Sequence, residues 1–217
     1  MFTMTAASGN VPAVDSLWLG RLSLDALPFH DPILIATFIM VALGGAAALG
    51  ALTWFRLWGY LWREWFTTVD HKKIGIMYLV LTFAFFILGG VEALLIRLQL
   101  SQANNTLLTP QTYNELFTMH GTTMVFLFIV PVWAGFGNYF VPLMIGARDM
   151  SFPKLNAMSF WMLLMGGIVF YGSIFFSPPE CGWTCYSPLS SSNYLPTAGV
   201  DAWIFLVHLT GISSLIG

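Results

Sequence analysis

The stretch Ile74–Ile96, IGIMYLVLTFAFFILGGVEALLI, decides the fold. It runs unbroken between Lys73 and Arg97, and its one ionisable residue is Glu92. Roughly 20 apolar residues in an α-helix cross the hydrocarbon core of a bilayer, about 30 Å thick. Measuring the gaps between charges in the same way finds Pro32–Phe55, Leu116–Ala147 and Leu155–Pro179, and a last run, Ala202–Gly217, that stops with the sequence. The expected architecture is an all-α polytopic membrane protein, a helical bundle with four full transmembrane spans and a truncated fifth. No water inside lipid satisfies backbone N–H and C=O groups, so each span must be a helix. The third run exceeds one span, and Pro131 and Pro142 are expected to kink or end its helix.

Composition agrees. Of 217 residues, 57% are hydrophobic and 8% charged, against about 25% charged in a soluble domain; mean hydropathy is +0.76. Eight Lys and Arg against ten Asp and Glu leave net −2 and no basic patch, which excludes a nucleic-acid binder along with a soluble enzyme or a disordered tail. Arg56, Arg63, Lys72, Lys73, Arg148 and Lys154 fall on one side of the expected spans, and Arg21 and Arg97 on the other. The positive-inside rule then puts the N-terminus outside and the Arg148–Lys154 turn in the cytoplasm of a bacterial-type inner (plasma) membrane. Residues 1–31 read as an outer-side arm without a signal-peptide pattern, and residues 32–217 as the membrane domain. Trp54, Trp58 and Trp62 read as an interfacial belt, with haem stacking as the alternative. Cys181 and Cys185 lie on the expected outer side, either as a local disulfide or as two thiols.

Ionisable groups inside spans are costly and point to function; Glu92, Arg97, His120, Asp149 and His208 need a reason. His120 is either a core histidine with a hydrogen-bond partner or an axial haem ligand. Gly121 beside it would let a flat macrocycle approach the backbone, and Thr122 and Thr123 can bond back to their helix. Asp149, with Asn138 and Asn156 on neighbouring helix ends, either orders water for proton entry or braces the turn against Arg148. His208 reads as a core histidine.

The motifs TTVDHKKIGIMYL, GGVEALLIRLQL, YNELFTMHGTTMVF, GNYFVPLMIGARDMSFPKLNAMSFW, GWTCYSPLSS and HLTGISSLIG occur in this order. Together they resemble subunit I of the haem-copper terminal oxidases over roughly residues 66–217. The arm GRLSLDALPFHDPI and the span after it look like the extra N-terminal helix of bo-type quinol oxidases. The resemblance implies that His120 is a low-spin haem ligand, with the haem of type a or b, and that Arg97 lies at that haem's edge. It implies that Asp149, Asn138 and Asn156 form the entrance of a proton pathway. It implies reduction of O2 to water with proton pumping, alongside subunits II and III. The high-spin haem and copper of the family have their ligands later than residue 217, so the expectation is the N-terminal portion of a longer subunit.

Quinol oxidases hold their quinone with an Arg and an Asp, then a His and a Gln or Glu; those places here carry Leu88, Glu92, Thr112 and Glu115. Leaving a buried polar group unpaired costs about 1–3 kcal/mol, so cytochrome c is the expected donor and quinol the alternative. A stand-alone membrane haem protein held by His120 and His208 is a further alternative.

Overall fold

The computed structural model describes residues 32–103, 105–195 and 198–217; the expected outer arm, residues 1–31, lies outside them. Every regular element among the described residues is helical. Helix α1 (Pro32–Trp54) is followed by a short helix α2 (Trp58–Leu61) that continues into a wide π turn over Trp62–Phe66. Then come α3 (His71–Gln99), α4 (Pro110–Thr122), a π segment over Thr123–Ile129, α5 (Val130–Met144), α6 (Pro153–Gly172) with a 3-10 turn to Phe175, and α7 (Gly199–Ile216). Four of these helices, counting α4 to α5 as one, are long and apolar enough to cross a membrane, and α1 adds the apolar segment Ala42–Trp54. The last run is longer than expected, because α7 starts three residues earlier, at Gly199.

Local chemistry explains the helix starts. Asp70 caps α3 by accepting from the Lys72 backbone N–H at 2.9 Å. Thr109 caps α4 by accepting from the Thr112 N–H at 3.1 Å, with Pro110 in the first turn, where a missing N–H costs nothing. Pro131 and Pro142 do not end the third span: helix runs from Pro110 to Met144. Pro131 has no N–H to offer, and the π segment just before it widens the helix where that bond is lost, the local adjustment by which spans tolerate proline. Trp54, Trp58 and Trp62 are all exposed, in keeping with the belt reading.

Lipid tails are as apolar as leucine, so membrane helices associate through close packing and interhelical hydrogen bonds. The core has both. Phe85 of α3 stacks on Tyr171 of α6 at 5.6 Å, and Tyr78 meets Phe160 edge-on at 5.3 Å. Leu127, Phe170 and Leu206 are fully buried at the centre. Gly75 of α3 and Gly135 of α5 face each other so closely that a Cβ on Gly75 would lie 2.9 Å from the Gly135 carbonyl oxygen. One end of the bundle gathers His71, Asp149 and Asn156; the other gathers Arg97, Thr109 and the Cys181–Cys185 loop.

Candidate functional site

His120 lies ten residues into α4, about 15 Å along its axis, and is half-buried. Its Nδ1 is 2.9 Å from the carbonyl oxygen of Gly89 on α3. A carbonyl only accepts, so Nδ1 carries the hydrogen and Nε2 keeps its lone pair. This is the arrangement by which proteins fix the tautomer and ring plane of a metal-binding imidazole. Gly89 allows the approach: a Cβ there would sit 2.9 Å from the Met124 sulfur and 3.3 Å from Thr123 Cγ2. The residues therefore fit an axial imidazole ligand to haem.

The neighbours of His120 differ from expectation. Gly121 does not leave room for a macrocycle; its bare face is filled by Trp183, whose Cβ would be 3.1 Å from an added methyl. Thr122 and Thr123 bond across helices rather than back along their own. Thr122 Oγ1 accepts from Trp203 Nε1 at 3.2 Å, and Thr123 Oγ1 lies 2.8 Å from the Tyr171 hydroxyl. Tyr171 also reaches Glu92, which is buried, with Oε2 lacking a partner. Cys181 and Cys185 form a disulfide. Arg97 is exposed in the last turn of α3, eight residues beyond Gly89 and about 12 Å further along the axis. His208 is not a core histidine: it is exposed, and its Nδ1 bonds Ile204 O at 2.8 Å in its own helix.

At the opposite end, Asp149 Oδ1 accepts from the Met150 N–H at 2.8 Å; the ion pair among the described residues is Lys73–Glu64, at 2.6 Å. Met150 and Asn138 both line a cavity of about 340 Å³ whose walls include Tyr78, Thr210, Ser213 and Ser214. Asn138 is buried; its Nδ2 donates to Ala134 O, and its Oδ1 has no partner. Asn156, 1% exposed, has both side-chain polar atoms unpaired. Unsatisfied buried amides of this kind are places for ordered water. Charge spacing missed the rest of the polar column. The Tyr78 hydroxyl lies 2.8 Å from Ser159 Oγ and 3.4 Å from Ser213 Oγ, Ser213 Oγ donates to Ser159 O at 2.7 Å, and Ser159 Oγ donates to Asn156 O at 2.7 Å. His71, also missed, is 1% exposed, with Nδ1 3.0 Å from Asn138 O. Among the described residues no group of three or more His, Cys, Asp or Glu gathers as a metal site.

A bundle of membrane-crossing helices with an interior imidazole held at Nδ1 by a neighbouring helix, and a buried polar column at its far end, is a polytopic membrane protein whose His120 fits an axial ligand. Residues 73–217 match the family described as cytochrome C and quinol oxidase polypeptide I, and the chain belongs to this haem-copper oxidase subunit I family. It is 44% identical over 202 residues to the ubiquinol oxidase subunit 1 of Acetobacter aceti, covering 91% of this chain and 30% of that one. It is 42% identical to the cytochrome bo(3) ubiquinol oxidase subunit 1 of Buchnera aphidicola from Schizaphis graminum, with coverages of 91% and 30%. It is 41% identical to the quinol oxidase subunit 1 of Bacillus subtilis, covering 86% and 29%. The chain thus spans about 30% of the length of these curated relatives. Their names are those of quinol oxidases.

Proposed function

We propose that the chain is part of the catalytic subunit of a multi-pass plasma-membrane terminal oxidase that reduces O2 to water and moves protons, with quinol as electron donor. The observation that carries this is the His120 imidazole, held at Nδ1 by Gly89 O and free at Nε2. His120 would bind the low-spin haem iron, and Arg97 would stand at the haem's edge. When bound, the haem supplies one-electron transfer. High-spin haem and copper, subunits II and III, and an N-terminus on the outer side complete the reading.

On this reading Asp149 collects protons from the cytoplasm, and the cavity beside Met150 leads them past Asn138 and Asn156 into the Tyr78–Ser159–Ser213 column. Hydroxyls and amides suit this task because each can donate and accept, so a chain of them with water relays a proton without holding a charge in lipid. For the donor, the names of the relatives outweigh the missing Arg and His. A quinol offers hydroxyl hydrogens, and Glu115, half-buried and held by Gln111 Nε2 at 3.0 Å, is an acceptor at the right end of the bundle.

Two experiments on the full-length purified oxidase test this. Oxygen consumption should be sustained by a soluble ubiquinol analogue and not by reduced cytochrome c; the reverse pattern returns the donor to cytochrome c. Asp149→Asn should slow proton-coupled turnover about 100-fold, the lower end of what a lost proton-transfer group costs, with the haem spectrum unchanged. Undiminished proton uptake would remove Asp149 from the pathway.

A further inference from the structure

The 20 described residues 176–195, between the end of the α6 segment and α7, form a longer irregular stretch than compact bundles usually need. One short part of this connection does specific work. Cys181 is 3% exposed and disulfide-bonded to Cys185. Between them Gly182 adopts φ +75°, open to glycine at little cost, and its carbonyl accepts from the Cys185 N–H at 3.1 Å. The turn so closed points two groups at α4. The Gly182 N–H donates to Thr118 Oγ1 at 2.9 Å, and Trp183 lies against the bare face of Gly121.

Thr118, two residues before His120, and Gly121, one after it, lie on the same helical turn. The Thr118 hydroxyl is held at both roles: it donates to Asn114 O at 2.9 Å and accepts from Gly182. Thr118 is fully buried, so no water replaces either bond. The imidazole is thus fixed from two sides. Gly89 O sets the ring through Nδ1, and the disulfide-closed turn sets the height and rotation of the helical turn that carries the ring.

We infer that the Cys181–Cys185 loop is a clasp that positions the His120 imidazole, with Gly182 and Trp183 as its contacts and Thr118 and Gly121 as its seats. The inference rests on the reading of His120 as a haem ligand. The clasp acts through His120 and touches no reacting atom. Its physical basis is that partners outside the first coordination sphere orient a metal-binding histidine. A five-residue loop closed by a disulfide has few other conformations in which to stray from α4.

The test uses the full-length, assembled oxidase and reads the low-spin ferric haem by electron paramagnetic resonance, whose principal g-values follow the orientation of the axial imidazole. Cys181→Ser/Cys185→Ser should shift the largest g-value or broaden that signal while haem content stays at the wild-type level. Thr118→Val, nearly the same shape but unable to accept from Gly182, should move the signal in the same direction. Thr118→Ser should restore the wild-type signal. Signals from the double-serine and Thr118→Val enzymes that superimpose on wild type would overturn the clasp, as would a non-reducing peptide map that finds both cysteines as thiols. If the double variant fails to assemble, Thr118→Val alone decides. His120→Ala separates this failure from that of the underlying reading. A low-spin haem retained in His120→Ala removes the ligand; a haem lost there but unmoved in the clasp variants removes the clasp alone.

Discussion

His120→Ala in the full-length oxidase is expected to eliminate the low-spin haem absorption band and, with it, oxygen consumption. The imidazole is the one group in its neighbourhood that combines a lone-pair nitrogen with a fixed ring. Thr118, Thr122 and Thr123 already spend their hydroxyls on Gly182, Trp203 and Tyr171, so none of them substitutes for Nε2. Losing an outer partner of a metal ligand typically costs about 10–100-fold in affinity; losing the ligand itself should cost more. Gly89→Ala is the graded companion. Its methyl would meet the flexible Met124 thioether at 2.9 Å, which can swing away, and Thr123 Cγ2 at 3.3 Å, which is tied to Tyr171. A weakened but present haem band is expected there. A full band in His120→Ala would sink the assignment.

The spans were legible because the cost of charge in lipid writes their limits into the sequence. The run expected over Pro32–Phe55 is helix from Pro32 to Trp54, and Ile74–Ile96 lies inside a helix from His71 to Gln99. The ends differ where local bonds outrank charge. Helix α3 starts before Lys72 and Lys73 because Asp70 caps it and His71 is drawn in by Asn138 O. Helix α4 starts at Pro110 rather than Leu116 because Thr109 caps it, leaving Glu115 inside the helix.

The site was legible in part. His120 stood out because an imidazole in a span demands a reason, but nothing local in sequence names Gly89, 31 positions away, as its partner. Hydroxyls carry no such demand. Tyr78, Ser159 and Ser213 sit 81 and 135 positions apart and look like ordinary span residues until three helices bring them together. The role of Gly121 was misread for the same reason: a glycine announces a close approach, and only the fold shows that Trp183 makes it.

The crossing of α3 and α5 ties packing to the polar column, and Gly75→Val is expected to break both. A Cβ at Gly75 would lie 2.9 Å from Gly135 O and 3.0 Å from Tyr139 Cβ. A backbone carbonyl and a Cβ cannot rotate aside, so the helices must part, at the roughly 1–3 kcal/mol that overpacking costs. Gly90 on the same helix is the control, since a Cβ there meets nothing within 4 Å. Gly90→Ala should be neutral or gain up to about 1 kcal/mol from the better helix former. The functional consequence follows from spacing. His71, one turn before Gly75, holds the carbonyl of Asn138, which lies one turn after Gly135. Parting the helices stretches that 3.0 Å bond and displaces Asn138 from the cavity that it lines with Tyr78 and Met150. Resistance to detergent denaturation and the rate of proton uptake should therefore fall together in Gly75→Val and stay at wild-type values in Gly90→Ala. If Gly75→Val lowered stability and left proton uptake untouched, the crossing would matter for packing alone, and Asn138 would not need its His71 anchor to serve the column.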